Sequence, residues 1–148
     1  MSDIRFQRGN FVVSDLERSL AFYRDILGFE VAFTKDSPDD SYSYEVFEIS
    51  RDRKLRFAVL STATQPRVMA LTEISGALDD AQLPRRSAIV LDVEDIDGVV
   101  AACMAADLKV YEEDHLVTQD GREGREVGIV DPDGNLVVIY HITRHPEA

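Results

Sequence analysis

A strand–helix–strand pattern occurs twice in this chain of 148 residues, and the two copies are 80 positions apart. In the first copy, an apolar run ends at Val13, and apolar residues then recur at helical spacing as far as Gly28. In the second copy, Val93 stands in the place of Val13 and a similar helical pattern follows. A repeat at fixed spacing indicates one supersecondary unit used twice, which constrains the fold more than any single motif. The chain is therefore predicted to form two similar modules.

The helix of the first copy is predicted over residues 15–27. Ser14 and Glu17 have the spacing of a capping box, so Ser14 is the expected N-cap. Gly28 holds the position of the glycine that ends many helices, because glycine adopts the left-handed backbone conformation there. Both ends of this helix are thus marked in the sequence.

The other elements are predicted from apolar periodicity and turn residues. In the first module, strands are expected at 4–13, 29–35, 42–50 and 54–61. In the second module, a helix is expected at 95–106 and strands at 87–93, 108–113, 125–131 and 135–142. A connector over 62–86 lies between the modules, and its apolar segment 68–78 is expected to form a short helix. Two polar hairpin loops are expected at 35–41 and 115–125, where loops often cover binding sites.

Three segments, 13–31, 93–111 and 128–142, together resemble the vicinal oxygen chelate superfamily, which includes glyoxalase I, bleomycin-resistance proteins and extradiol dioxygenases. The third segment contains a tight Asp-Pro-Asp-Gly-Asn turn between two apolar runs. The resemblance implies an α+β fold in which two βαβββ modules form a curled mixed sheet with a half-open cavity. It also implies one domain over 1–148, with modules at about 4–61 and 87–142. A fold shared by many chemistries does not by itself give the function.

Composition argues against several classes of partner. The net charge is −12, with 12 acidic and 10 basic residues in 1–75 and 16 acidic and 6 basic residues in 76–148. Such a field repels nucleic acid and anionic membranes and attracts cations, although solubility alone also explains it. No apolar run approaches the roughly 20 residues of a membrane span, and the first residues lack a signal peptide's apolar region, so a cytoplasmic protein is expected. The single cysteine, Cys103, is expected to be a buried small apolar residue.

Strand alternation predicts which side chains line a binding site, because successive residues point to opposite faces of a sheet. On the faces turned away from the helices, polar, aromatic and apolar groups are expected to converge in one small-molecule pocket. The residues assigned to this ligand-binding pocket are Arg8, Asn10, Phe47, Phe57, Val59, Asp92, Val138 and Tyr140. Arg8 has two interpretations: its guanidinium binds an anionic or carbonyl group of the ligand, or it forms a structural ion pair with an acid such as Asp92.

The family resemblance also implies four metal-ligand positions, one on the first and one on the fourth strand of each module. In this sequence they fall on Arg8, Val59, Ala88 and Val138, none of which is an ordinary ligand for a divalent ion. His115, His141 and His145 are expected to be solvated or hydrogen-bonded surface residues. The sequence therefore predicts no metal and no other cofactor.

The function predicted from these observations is metal-free binding of a small organic molecule, as in the bleomycin-resistance branch, with a homodimer implied by that resemblance. Two alternatives stay open. One is a metal-dependent lyase or dioxygenase, and the other is a metal-free enzyme that uses Arg8, Asp92 or Tyr140 for acid–base chemistry. The sequence shows no catalytic triad and no glycine-rich phosphate loop to support a further class.

Overall fold

The computed structural model describes residues 3–147, and within them it contains eight strands and three helices. The first module consists of β1 Gly9–Val13, α1 Leu16–Tyr23, β2 Glu30–Asp36, α2 Tyr42–Val46, β3 Leu55–Ser61 and β4 Met69–Ile74. The second consists of β5 Ala88–Asp92, α3 Ile96–Ala105, β6 Asp114–Val117, β7 Glu123–Val130 and β8 Leu136–Arg144. Among the described residues, no helix is long and apolar enough to cross a membrane.

Each module contains one four-stranded mixed sheet, and the two sheets have the same topology. The strand orders are β1-β4-β3-β2 and β5-β8-β7-β6. In each sheet the first strand pairs in parallel with the fourth, and the other neighbours are antiparallel. The chain accordingly divides into two compact units at Asp79 and Asp80. The predicted α+β fold built from two βαβββ modules is confirmed.

Helix α1 packs against one face of the first sheet. Leu16, Leu20 and Tyr23 are buried on it, and the ring centroid of Tyr23 lies 6.4 Å from that of Phe11 on β1. The predicted N-cap was one residue early: the side chain of Asp15 accepts a hydrogen bond from the Arg18 amide over 3.1 Å. An aspartate cap serves as well as a serine cap, because either side chain satisfies a free amide of the first turn.

Helix α3 begins in the same way, 80 residues later. The side chain of Asp95 accepts from the Gly98 amide over 3.0 Å, and Ile96 is buried where Leu16 is buried in α1. Cys103 is fully buried on this helix, as the sequence predicted. Burial raises the pKa of its thiol to about 11, so at neutral pH it is a small apolar side chain.

The strand predicted at 42–50 was wrong, because residues 42–46 form helix α2. Aromatic and polar residues alternate here, which is typical of a half-buried strand. Only Tyr44 is buried, however, while Tyr42 is 74% exposed and Val46 52% exposed. Ser41 caps the helix by accepting from the Ser43 amide. This segment is therefore a short helix, capped by Ser41 and anchored by the buried Tyr44 ring, and not a strand.

The helix predicted at 68–78 was also wrong, because residues 69–74 form strand β4 between β1 and β3. A central strand is buried on both faces and so reads as a continuous apolar run, which periodicity alone does not distinguish from a buried helix. The first module therefore extends to Ile74 instead of ending near residue 61. Strand 54–61 is consequently the third strand of its module and not the fourth.

Three smaller predictions also differ from the structure. The first strand begins at Gly9 instead of residue 4, and residues 3–8 are exposed. In the second module, β6 lies at 114–117 instead of 108–113, where Val110 forms an isolated bridge to Ile129. The loop predicted at 115–125 is correspondingly shorter.

The Asp-Pro-Asp-Gly-Asn turn is confirmed, since the buried Asp131 carboxylate accepts from the amides of Asp133 and Asn135.

Candidate functional site

Each sheet has one face that packs on its long helix and one face turned away from it, which is here called the distal face. In the first sheet, Phe11 contacts α1, so alternation places Asn10 and Val12 on the distal face. The ladder partners of these two residues on β4 are Ala70 and Thr72. The distal face of the first sheet is thus defined by register and not only by sequence alternation.

Two cross-strand rows form the middle of this distal face. One row contains Asn10, Ala70, Val59 and Phe33. The other contains Val12, Thr72, Phe57 and Lys35. The rings of Phe33 and Phe57 meet edge to face, with centroids 6.0 Å apart. Three predicted site residues, Asn10, Phe57 and Val59, therefore do share one face.

Asn10 carries the polar chemistry of this face. Its side-chain carbonyl accepts a hydrogen bond from the Thr72 hydroxyl over 2.9 Å. Its amide nitrogen, Nδ2, is buried and has no hydrogen-bond partner within residues 3–147. An unpaired buried donor costs about 1–3 kcal/mol relative to a satisfied one, so it is conspicuous in a folded protein.

Arg8 lies two residues before Asn10, immediately outside strand β1. Its side chain is exposed, and its guanidinium donates one long hydrogen bond of 3.5 Å to the Arg67 carbonyl. A single long bond leaves most of the five guanidinium N–H groups available to another acceptor. Its predicted role as a ligand anchor stays a prediction.

The distal face of the second sheet carries the other predicted site residues. Val90 pairs with Val138, so both point away from α3, and Asp92 pairs with Tyr140 at the end of the ladder. The carboxylate of Asp92 lies 2.9 Å from Nδ1 of His141. This pair is not visible in the sequence, because the two residues are 49 positions apart and come together through the parallel pairing of β5 and β8. Convergence of both distal faces in one pocket stays a prediction.

The sequence predicted Phe47 on a strand. It lies instead at the C-cap of α2, where it is 42% exposed. The aromatic contribution of this helix comes instead from Tyr44. Its ring packs against Leu55 and Ile74 at one end of the first distal face, and its hydroxyl donates to the Arg53 carbonyl over 2.6 Å. Helix α2 therefore covers one end of that face and leaves Asn10 at the other.

A half-open cavity of about 470 Å³ lies beside α2, at the end of the first sheet. Its lining includes Tyr44, Asp36, Asp39 and an ion pair in which Arg56 Nε lies 2.9 Å from Glu73 Oε1. Glu73 also accepts from the Leu16 amide at the start of α1 over 2.6 Å. The ion pair is thus a structural bond that ties the sheet to the helix.

The model of the Glyoxalase/Bleomycin resistance protein/Dioxygenase superfamily matches residues 5–139. This chain belongs to that superfamily. Among curated proteins, none has a significantly matching sequence.

Solved structures of superfamily members share the fold. A glyoxalase family protein from Bacillus cereus has a TM-score of 0.75 and 16% identity, with 97% of each chain covered. The trypanothione-dependent glyoxalase I of Leishmania major has a TM-score of 0.66 and 25% identity, with 94% of this chain and 87% of that chain covered. The fosfomycin resistance protein of Listeria monocytogenes has a TM-score of 0.59 and 16% identity, with 97% and 93% covered.

The structure corrects one of the four metal-ligand positions that the resemblance implied. The fourth-strand position was placed on Val59, which lies on the third strand. Asn10 and Val90 are equivalent in the 80-residue repeat, and their parallel partners are Ala70 and Val138. Ala70 is therefore the residue that corresponds to Val138, and Val59 is its neighbour in the same row.

The residues at the corrected positions do not fit a divalent ion. They are Arg8, Ala70, Ala88 and Val138, which offer no carboxylate, imidazole or thiolate. Within residues 3–147, no group of three or more His, Cys, Asp or Glu side chains is placed to hold a metal. His115 bonds to Glu123 over 3.0 Å, His141 bonds to Asp92, and His145 is exposed. All three histidines have the surface or hydrogen-bonded character that the sequence predicted.

Proposed function

We propose that this chain binds a small organic molecule without the help of a metal ion, and that the distal face of its first sheet contributes to the site. The observation that supports the proposal is the residue set Arg8, Ala70, Ala88 and Val138 at the four superfamily positions. A guanidinium holds anionic and carbonyl oxygens by directed hydrogen bonds, which is one task that a metal ion performs in such a site. In the first module, the small residue Ala70 stands beside Asn10 where a larger ligating side chain would otherwise stand.

Two alternatives to simple binding are catalytic, and chemical conversion of the bound ligand would distinguish them from it. A lyase or dioxygenase reaction of the metal-dependent kind requires an ion that holds two vicinal oxygens, and the donor set present here does not provide its ligands. A metal-free enzyme would use Arg8, Asp92 or Tyr140. Asp92 already orients the imidazole of His141, so acid–base work by this carboxylate would pass through that ring.

Purification without chelator, followed by native mass spectrometry, tests the proposal directly. The expected result is a chain that retains an organic adduct and less than stoichiometric metal by elemental analysis. Ni²⁺, Zn²⁺, Mn²⁺ and Fe²⁺ are each expected to leave the unfolding temperature unchanged. A specific ligand at 100 times its dissociation constant stabilises a protein by about 2.7 kcal/mol, so one ion that raises the temperature by several degrees would contradict the proposal.

The same preparation tests the remaining parts of the proposal. A homodimer in the cytoplasm, without nucleic acid, is proposed from the family resemblance and from the net charge of −12. Light scattering after size-exclusion chromatography is expected to give twice the mass of 16.6 kDa. A monomer at all concentrations would remove the dimer from the proposal but not the binding.

A further inference from the structure

The buried amide nitrogen of Asn10 indicates the chemistry of the ligand. The Thr72 hydroxyl donates to the carbonyl end of the Asn10 side chain, which leaves the NH₂ end with two hydrogens and no acceptor. Asn10 as a whole is half-buried, and this nitrogen is its buried part. What it lacks is an oxygen acceptor, and a bound molecule is able to supply one.

A second group of donors lies next to it. Arg8 and Asn10 are two residues apart on the same side of an extended chain, so their Cα atoms are about 7 Å apart. Within residues 3–147, the carbonyl of Arg67 is the acceptor of the Arg8 guanidinium, at 3.5 Å. A carboxylate between the two side chains would accept from both, and bonds in which one partner is charged are about twice as strong as neutral ones.

The surroundings favour an anion over a cation. The two middle rows of the first distal face contain no acidic residue, and their one charged residue is Lys35. Most of the negative charge of the chain lies elsewhere, since residues 1–75 carry 12 acidic and 10 basic residues. Beyond Asn10, the same row continues with the small Ala70 and the apolar Val59. Phe57 and Phe33 then offer ring edges and faces to an aromatic body.

We infer that the first distal face binds an organic anion with an apolar or aromatic body. Its carboxylate accepts hydrogen bonds from Arg8 and from the free amide hydrogens of Asn10. Its body lies against the partly exposed rings of Phe57 and Phe33. This inference rests on the proposed binding function and adds the class of ligand.

Titration calorimetry with three monosubstituted benzenes of similar size and different charge tests the class. Benzoate is expected to bind more tightly than benzamide, and benzylammonium is expected to bind least.

Arg8→Gln is expected to weaken benzoate binding about tenfold or more, as the loss of a charge-assisted hydrogen bond predicts. Arg5→Gln is the matched control, because it removes the same charge from the same segment, and Arg5 bonds to Gln7. This control is expected to change the dissociation constant by less than about twofold.

A second variant tests the amide itself. Asn10→Asp keeps the oxygen that accepts from Thr72 but replaces the free donor with a negative oxygen, and it is expected to abolish benzoate binding while the fold is kept. In the wild type, benzoate is expected to shift the side-chain amide NMR signals of Asn10. Unchanged benzoate affinity in folded Asn10→Asp protein would overturn the role of the amide.

The experiments distinguish an error in the inferred class of ligand from an error in the proposed binding function. If benzamide or benzylammonium binds as tightly as benzoate, or if Arg5→Gln and Arg8→Gln weaken binding equally, the anion class is wrong. If benzoate does not bind but the purified chain retains a neutral or cationic adduct, the class is wrong and the binding function stands. If no probe binds and no adduct is retained, both proposals fail.

Discussion

The Thr72 hydroxyl donates to the side-chain carbonyl of Asn10 over 2.9 Å, across 62 residues of sequence. This bond fixes the orientation of the Asn10 amide, because it occupies the oxygen and leaves the nitrogen on the other side. It also joins the first and fourth strands of the module through side chains, in addition to their backbone ladder. Thr72 therefore positions Asn10 for the proposed ligand without touching that ligand itself.

Thr72→Val is expected to destabilise the fold by about 1–2 kcal/mol, because Thr72 is buried and valine has the same shape but no hydroxyl to donate to the Asn10 side-chain carbonyl. Urea unfolding followed by circular dichroism measures this loss. Thr72→Ser keeps the hydroxyl and is the control; it is expected to lose only the contribution of one methyl group. If Thr72→Val is as stable as Thr72→Ser, the hydrogen bond does not hold Asn10 in place.

Val59→Glu is expected to destabilise the first module by about 3 kcal/mol or more at neutral pH, because Val59 is 2% exposed and no cation stands beside it in its row. Burial raises the folded-state pKa of the new carboxyl group, so the penalty is expected to shrink as the pH falls to the unfolded pKa, about 4.3. Thr34→Glu, at an exposed position of the neighbouring strand, is the control. Equal stability of the two variants would show that Val59 has room for an ion or for water.

The repeated module was predictable from the sequence because the start of each long helix is marked locally. The end of the first helix was predicted wrongly, since α1 ends at Tyr23 and not at residue 27, before Gly28. The helices begin at Leu16 and Ile96, which are 80 residues apart, and each follows a capping aspartate. The two wrong elements had no such local mark. At 42–50, the segment is a helix in which only the Tyr44 ring of residues 42–46 is buried. At 68–78, the segment is a strand that pairs with β1, which lies far away in the sequence, and with β3.

The candidate site was predictable only in part, for a related reason. Alternation along one strand placed Asn10, Phe57 and Val59 on one face, and the ladder agrees with that placement. Alternation does not show which strand neighbours which. Ala70 and the Asp92–His141 pair therefore required the parallel register of the first and fourth strands of each module. The free nitrogen of Asn10 depends on the Thr72 hydroxyl and is likewise invisible in the sequence.

Glu73→Ala is expected to destabilise the first module by about 1–2 kcal/mol, because the carboxylate both accepts from the Leu16 amide and binds Arg56. Glu73→Gln keeps an acceptor for the Leu16 amide and loses the charge, so a smaller loss is expected. Chemical denaturation of both variants measures the difference. If the two losses are equal, the charge, and not the hydrogen bond to the helix, is what stabilises this contact.

Arg125 links α3 to the segment before β6, because its guanidinium lies 2.6 Å from carboxylate oxygens of both Asp97 and Glu113. Hydrogen bonds from Arg125 hold the pKa of each carboxyl group below its ordinary value of 3.8 or 4.5. A group with a lowered folded-state pKa stabilises the fold above its unfolded pKa, and this stabilisation is lost as the pH falls through the folded-state pKa.

Arg125→Gln is therefore expected to lower the unfolding temperature at neutral pH, and the difference from the wild type is expected to close as the pH falls below the ordinary pKa values of Asp97 and Glu113. Differential scanning calorimetry across this pH range measures the effect. Added salt is expected to reduce the difference at neutral pH, since all three side chains are partly exposed. Arg5→Gln is the control for the loss of one positive charge, because Arg5 bonds to Gln7. A difference that persists unchanged in acid would show that Arg125 stabilises the second module by packing its aliphatic chain and not by binding the two carboxylates.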